Sequence, residues 1–108
     1  MTIPALGAYE FTPLDGAAAY GDDQLVIVHR EDPRLWFCAA ATFRAPRAMP
    51  FGEFKAAMID GWCGSDPDYD PAAATDWRVF DEPLDVDPSK TLAELGIGHK
   101  ALVTFRTP

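Results

Sequence analysis

The chain has 108 residues, of which 48% are hydrophobic and 24% charged, a composition typical of one globular domain rather than a disordered segment. Its formal net charge of −8 argues against binding nucleic acids, because affinity for their phosphate backbone comes from Lys and Arg. No apolar run approaches the roughly 20 residues that a membrane helix requires, so we expect no membrane partner either.

The N-terminal segment, residues 1–23, is rich in Ala, Gly and Pro and shows no sustained hydrophobic period. We expect an arm that lies over the surface of the domain formed by residues 24–108. The segment has no basic residue before Arg30 and is interrupted by Pro4 and Glu10, so it lacks the charged head and apolar core of a secretory signal. A cytoplasmic location is therefore the expectation.

Two runs of β-branched, aromatic and small apolar residues follow the arm. "QLVIVHR" (24–30) and "LWFCAAATF" (35–43) are separated by "EDPR", where Pro33 suits a turn, and this pattern predicts a hairpin. Both runs are apolar in both registers, whereas a sheet with one solvated face should alternate apolar and polar residues. We therefore expect both faces of the hairpin to be covered, either by the N-terminal arm or by a partner protein.

The hydrophobic period changes after the hairpin from two to between three and four residues. The apolar residues that follow this spacing are Phe51, Phe54, Met58 and Trp62. Pro50 fits the first helical position, and Gly61 and Gly64 indicate the end. One amphipathic helix of about a dozen residues is predicted.

The second half of the chain contains two further strand patterns with a helical turn between them. "WRVF" (77–80) reads as a short strand ended by "DEP", and "ALVTFRT" (101–107) reads as the last strand. Between them, Thr91 and Glu94 have the spacing of a capping box, and Gly96 can take the left-handed conformation that ends a single helical turn. This order of elements predicts an α+β fold of the β-grasp type, a mixed sheet with one main helix and a short helical turn.

The stretch "SDPDYDP" (65–71) places a carboxylate at every second position, as calcium loops of the EF-hand type do. Such a loop needs Gly at position 6 and Glu at position 12, but counting from Asp66 these positions hold Pro71 and Trp77. We interpret the stretch as a solvated turn whose carboxylates cap backbone N–H groups.

No other constellation in the sequence has the spacing of a catalytic or metal site. His29 and His99 have no Cys or His at ligand spacing, Cys38 lies in an apolar strand pattern, and Cys38 and Cys63 form no C-x-x-C pair. No Glu is followed by His three residues later, as a diiron carboxylate site would require. The prediction is therefore no catalytic, cofactor-binding or metal-binding residue, although a small enzyme that uses Cys38 or His99 is kept as a third hypothesis.

From Trp77 onward the segment "WRVFDEPLDVDPSKTLAELGIGHKALVTFR" resembles the second half of ubiquitin. The resemblance implies that Val103 and Phe105 point to the core. It implies an open face for binding that would hold Phe80, Leu102, Thr104 and Arg106. The chain lacks a Gly-Gly tail after its last strand, which argues against a conjugated modifier.

A resemblance that spans residues from about 22 to 108 is to the small subunit of bacterial multicomponent phenol hydroxylases. It is carried by the order and spacing of "QLVIV", "LWFCA", "MPFGEF", "DPDYDP", "W..FDEP" and "LGIGHKALVTFRTP". The family implies a non-catalytic subunit beside a large subunit that holds a diiron centre and a second large subunit without one. It also implies a reductase with FAD and an Fe–S cluster, and a regulatory protein, in a system that uses NADH and O2 to hydroxylate phenol.

Two main hypotheses follow from these observations. The first is an assembly subunit docked on the diiron subunit, with Trp36, Phe80, Leu102 and Arg106 as the expected contact residues. The second is a free-standing ubiquitin-like binding module with an unrelated partner.

Overall fold

The computed structural model describes residues 16–33 and 39–108. Within them a 3-10 turn, Ala17–Tyr20, leads into a mixed sheet of five strands. The strands are β1 (Asp23–Glu31), β2 (Ala39–Pro46), β3 (Thr75–Val79), β4 (Glu82–Pro83) and β5 (Ala101–Arg106). Their order in the sheet is β2-β1-β5-β3-β4, with β1 and β5 parallel and the other neighbours antiparallel.

The predicted hairpin is confirmed, with different bounds. β1 and β2 pair from Asp23 opposite Pro46 to Arg30 opposite Ala39, so β2 runs three residues past the predicted end at Phe43. The strand continues because half-buried or buried residues keep alternating with exposed ones up to Pro46. The connection between the strands includes residues 34–38, which lie outside the described residues.

The main helix spans residues 51–63 and has three consecutive parts. These are α1 (Phe51–Phe54), a π-helical segment (Lys55–Ile59) and α2 (Asp60–Cys63). Pro50 precedes the helix in an extended conformation instead of occupying its first position, because this part of the chain bridges to Thr91. Gly61 lies inside α2, and Gly64 caps its end.

The π-helical segment changes which side chains the helix buries. A π turn contains one residue more than an α turn, so the buried stripe moves by one position after Phe54. The fully buried residues that follow are Ile59 and Cys63, whereas the predicted Met58 and Trp62 are half-buried and pack at the edge of the core. The sequence therefore predicts the helix correctly and its buried face only in the first turn.

The core lies between the main helix and one face of the sheet. Phe51, Phe54 and Ile59 from the helix pack in one cluster with residues of β1 and β5, which include Val103 and Phe105 as predicted. On β3, the Trp77 ring stacks on Phe105 with centroids 4.6 Å apart and meets the Phe51 ring edge to face at 5.3 Å. Aromatic pairs in these geometries add to the free energy gained by burying apolar area.

The predicted helical turn before β5 is confirmed in detail. The Thr91 backbone N–H donates to the Glu94 carboxylate, and the Glu94 N–H donates to the Thr91 hydroxyl, both at 3.1 Å, which is a capping box. Gly96 ends the turn with φ of +79°, and the Ile97 N–H donates to the Leu92 carbonyl at 2.9 Å. Leu92 and Ile97 are fully buried, so the turn closes one end of the core.

The predicted α+β class, mixed sheet and single main helix are confirmed. Two local predictions differ from the structure. The third strand begins at Thr75 and ends at Val79, so Phe80 lies in a turn, and "DEP" contributes the short strand β4 instead of only ending β3. The division into an arm (1–23) and a domain (24–108) stays a prediction, since residues 1–15 lie outside the described part of the chain.

Candidate functional site

The candidate site is the outer face of the sheet, the face opposite the main helix. Along β1, from Asp23 to Glu31, half-buried and buried residues alternate strictly. The buried ones face the main helix, so the half-buried ones define the outer face. We define the outer face by the residues that share this register on β1, β5 and β3: Leu25, Ile27, His29, Glu31, Leu102, Thr104, Arg106 and Arg78. The apolar members on β1 and β5 are half-buried, whereas the corresponding positions of β2, Ala40 and Thr42, are exposed.

A network of ion pairs lies at one end of the outer face. Glu31 contacts two guanidinium groups, that of Arg78 at 2.8 Å and that of Arg106 at 3.2 Å. Asp76 lies 3.5 Å from Arg106 and 3.7 Å from Arg78. The Arg78 guanidinium, with a smaller contribution from Arg106, holds the pKa of Glu31 below its ordinary value. The network joins three strands of the sheet at a partly exposed surface.

Phe80 lies beside this network in the turn that connects β3 and β4. The turn consists of two residues, Phe80 and Asp81, because Val79 pairs with Glu82. The Phe80 N–H donates to the Leu102 carbonyl at 2.9 Å, which ties the turn to β5. Its side chain is 61% exposed and is the exposed large hydrophobic group among residues 16–33 and 39–108.

The predicted contact residues, together with Thr104 of the predicted open face, fall into three groups. Phe80, Leu102 and Arg106 lie on or beside the outer face, with Leu102 half-buried and Arg106 paired with Glu31. Thr104 shares this face but is only 3% exposed, because Arg78, its neighbour on β3, reaches across β5 to Glu31 on β1. It therefore offers little surface for contact. Trp36 lies outside the described residues. Contact of Phe80, Leu102 and Arg106 with a partner stays a prediction.

A second cluster of polar groups lies at the helix side of the sheet, around Arg30. This side chain is 5% exposed, and its guanidinium contacts Asp32 at 3.1 Å, Asp66 at 2.9 Å and the Thr107 hydroxyl at 3.1 Å. The guanidinium also lies 5.2 Å from the centroid of the Tyr69 ring. Sequence reasoning missed this cluster, although Arg30 occupies the same register as the core residues Val26 and Val28.

The acidic loop 65–71 is fastened to the helix by a second set of contacts. The Tyr69 hydroxyl donates to the Asp60 carboxylate, which also accepts from Lys55 at 2.9 Å, and Lys55 reaches the Pro71 carbonyl at 3.2 Å. Burial, followed by the Asp60 carboxylate, raises the pKa of Tyr69. Tyr69 is therefore a neutral hydrogen-bond donor at physiological pH.

The interpretation of the loop as a capped turn is confirmed, with one correction. Asp66 accepts from the Asp68 N–H at 2.9 Å, and Asp70 accepts from the Ala72 N–H at 3.0 Å. However, Asp66 is not a purely solvated turn residue, since its second oxygen pairs with the buried Arg30. The loop is part of the folded domain.

The remaining polar candidates have structural contacts. Cys63 is buried at the end of the helix, and burial raises the pKa of its thiol above the ordinary value. The Nδ1 of His99 accepts from the Leu25 N–H at 3.1 Å, and its ring lies 5.1 Å from that of Tyr20. Among residues 16–33 and 39–108, no three His, Cys, Asp or Glu side chains come together as a metal site would require.

The helices in the described part of the chain are too short or too polar for any of them to cross a membrane.

Comparison with known proteins gives consistent matches. A family model described as phenol hydroxylase matches residues 15–106. A curated relative, the phenol 2-monooxygenase oxygenase component DmpO of Pseudomonas sp. (strain CF600), is 31% identical over 113 aligned positions, which cover 100% of this chain and 92% of the relative.

Solved structures agree with the sequence matches. A chain of the xenon-pressurised phenol hydroxylase from Pseudomonas sp. OX1 superposes with a TM-score of 0.81 and 29% identity, covering 99% of this chain and 92% of that one. An Arabidopsis thaliana protein superposes with a TM-score of 0.50 and 12% identity over 79% of this chain and 88% of its own, a likeness that concerns the fold alone.

Proposed function

This chain belongs to the phenol hydroxylase family, and we propose that it serves as a non-catalytic subunit of the oxygenase component of a multicomponent phenol-type monooxygenase. Its role is to dock on the large subunits and stabilise their assembly. The observation that carries the proposal is the match over the whole chain to a protein named as an oxygenase component.

The proposed division of labour places the reactive groups in other subunits. The diiron centre would lie in the large subunit, and the electrons would come from NADH through a reductase with FAD and an Fe–S cluster. Two polar side chains in the described part of the chain support that division through their contacts within the fold. The buried Arg30 pairs with Asp32 and Asp66, and the half-buried Tyr69 donates to Asp60.

The proposed docking surface is the outer face along β5 with the adjoining turn between β3 and β4, which places Phe80 and Leu102 towards one end and Arg106 at the other. It combines an exposed aromatic ring with charged groups that are partly exposed, as the rims of protein interfaces do. A stable complex of this kind buries at least about 1,000 Å2 of total surface. The alternative of a free-standing binding module is not favoured, since the relatives are named as parts of phenol hydroxylase.

The proposal is tested by co-expressing this chain, tagged, with the large oxygenase subunits of a phenol hydroxylase. The material recovered on the tag is assayed for iron, and for NADH-dependent phenol hydroxylation after reductase and regulatory protein are added. We expect an iron-containing complex that is active, and little activity when this chain is left out. A monomeric chain together with an unaffected hydroxylase would contradict the proposal.

A matched pair of charge reversals tests the location of the docking surface. Arg106→Glu changes a cation of the outer face, whereas Lys90→Glu changes an exposed cation in the loop before the helical turn. We expect Arg106→Glu to reduce recovery of the large subunits, because a carboxylate at this position would repel Glu31 and Asp76 and disturb the outer face. Lys90→Glu should leave recovery near that of the unchanged chain. Equal recovery with both variants would place the docking surface elsewhere.

A further inference from the structure

The turn between β3 and β4 has an unusual backbone for the residues it contains. Phe80 has φ of +47° and Asp81 has φ of +66°, so both central residues lie in the left-handed region. Two-residue hairpin turns often need positive φ at both positions, and Asn-Gly or Gly-Gly is the usual choice. A bulky aromatic residue at the first position is costly and is retained only where the surrounding structure holds it.

The surrounding structure does hold this turn. The Phe80 N–H donates to the Leu102 carbonyl on one side, and the Leu84 N–H donates to the Trp77 carbonyl on the other, both at 2.9 Å. Trp77 is itself stacked on the buried Phe105. The turn is therefore attached to the core at two points, and the Phe80 ring projects from a fixed base while 61% of its surface stays exposed.

The charge around the exposed ring is predominantly negative. The carboxylates that follow Phe80 directly in the chain are those of Asp81 and Glu82, and one guanidinium group, that of Arg78, lies 3.8 Å from Asp81. This guanidinium group also contacts Glu31 at 2.8 Å, whereas the Asp81 side chain is 91% exposed. An approaching surface would therefore meet an apolar ring with an acidic rim.

We propose that Phe80 is an anchor residue that inserts into an apolar pocket on another subunit of the same hydroxylase, and that the rim of this pocket carries Lys or Arg side chains. The inference rests on the proposed function and specifies the chemistry of the partner surface. Exposed aromatic residues at the centre of an interface commonly contribute most of its binding energy. An anchor that is already fixed in the free chain loses little conformational freedom on binding, which favours affinity.

The test compares two variants of the same turn in the full chain. Phe80→Asn removes the aromatic ring and introduces a residue that tolerates positive φ. Asp81→Asn introduces the same residue at the second position of the turn and keeps the ring of Phe80. Affinity for the co-expressed large oxygenase subunits is measured by surface capture of the purified tagged chain. We expect Phe80→Asn to weaken binding about 30-fold or more and Asp81→Asn to change it by less than about fivefold.

Folding is measured for each variant, so that loss of structure cannot be mistaken for loss of the anchor. Both substitutions should leave the urea midpoint unchanged or raise it, because Asn is better suited to positive φ than the residue it replaces. A folded Phe80→Asn chain that binds within about twofold of the unchanged chain would overturn the inference and leave the proposed function intact. Failure of the unchanged chain to bind at all would overturn the proposed function, and the inference with it.

The charge of the partner's rim has its own test. Asp81→Lys should weaken binding, and added salt should weaken binding of the unchanged chain by slowing association. Stronger binding by Asp81→Lys would show an acidic rim on the partner and overturn that part of the inference.

Sedimentation equilibrium of the isolated chain tests whether Phe80 binds a second copy of this chain instead. A dimer that Phe80→Asn abolishes would show such self-association and overturn the inference.

Discussion

Arg30 and Asp66 lie 36 positions apart in the chain and form an ion pair of 2.9 Å, in which the Arg30 side chain is 5% exposed. The contact joins the end of β1 to the acidic loop that follows the main helix. Asp32, whose side chain is fully buried, contacts the same guanidinium group. One guanidinium group thus pairs with two carboxylates, and the conformation of the loop depends on the sheet.

We predict that Arg30→Met strongly destabilises the protein. The substitution keeps an apolar stem of similar length but leaves Asp32 buried without its cation, and removal of one partner from a buried pair typically costs about 3–5 kcal/mol. The free energy of unfolding is measured by urea titration. Arg44→Met is the matched control, since Arg44 pairs with Asp23 at the surface and such pairs contribute about 1 kcal/mol or less. Equal losses in the two variants would contradict the prediction.

Two glycines of the main helix should respond to alanine in opposite directions. At Gly61 no atom lies within 4 Å of the position a Cβ would take, so Gly61→Ala should stabilise the helix by about 0.5–1 kcal/mol. At Gly52 a Cβ would lie 2.9 Å from the Pro88 Cβ and 3.2 Å from its carbonyl oxygen, so Gly52→Ala should destabilise by about 1–3 kcal/mol. Thermal unfolding measures both, and a stabilising Gly52→Ala would show that the contact with Pro88 is looser than described.

Glu31 should contribute to the pH dependence of stability. The ordinary pKa of this carboxyl is 4.5, and the Arg78 and Arg106 guanidinium groups lower it in the folded state. Its stabilising contribution is therefore complete above about pH 4.5 and is lost as the pH falls through the lower folded pKa. Urea midpoints measured from pH 6 to pH 2.5 should fall less in Glu31→Gln than in the unchanged chain. Parallel curves for the two proteins would exclude this contribution.

Cys63 should react slowly with thiol reagents while the protein is folded. The thiol is buried, and burial raises its pKa, so the reactive thiolate is scarce. In a Cys38→Ser chain at pH 8, we expect iodoacetamide to modify Cys63 at least about tenfold more slowly than in urea-unfolded protein. Mass spectrometry measures the extent of modification with time. Similar rates in the folded and unfolded chains would show that the thiol is accessible.

Local features of the fold were predictable because they depend on residues a few positions apart. Short-range spacing accounts for three of these features. They are the alternation along β1, the reciprocal hydrogen bonds of Thr91 and Glu94, and the left-handed conformation of Gly96. The inward direction of Val103, which the resemblance to ubiquitin implied, is confirmed by its burial. The π turn at Lys55–Ile59 was not predictable, since a period of three to four residues gives no indication of where one extra residue enters a helix.

The candidate site was predictable only in part, for the same reason. Arg106 lies on the face where the resemblance to ubiquitin placed it, whereas Phe80 lies in the adjoining turn and Thr104 is covered by the Arg78–Glu31 ion pair. Contact of these residues with a partner stays a prediction. The sequence also showed no partner for Arg30, since Asp66 and Thr107 lie 36 and 77 positions away.

By itself, the sequence determined the α+β class, the order of the elements and the family, because these depend on hydrophobic period, turn residues and the spacing of motifs. The tertiary structure alone decided which polar groups meet. The parallel pairing of β1 with β5 brings Glu31 to Arg106, and the return of the loop after the helix brings Asp66 to Arg30. Contacts of this kind depend on strand register and on packing between residues far apart in the chain. Neither can be deduced from a local pattern of residues.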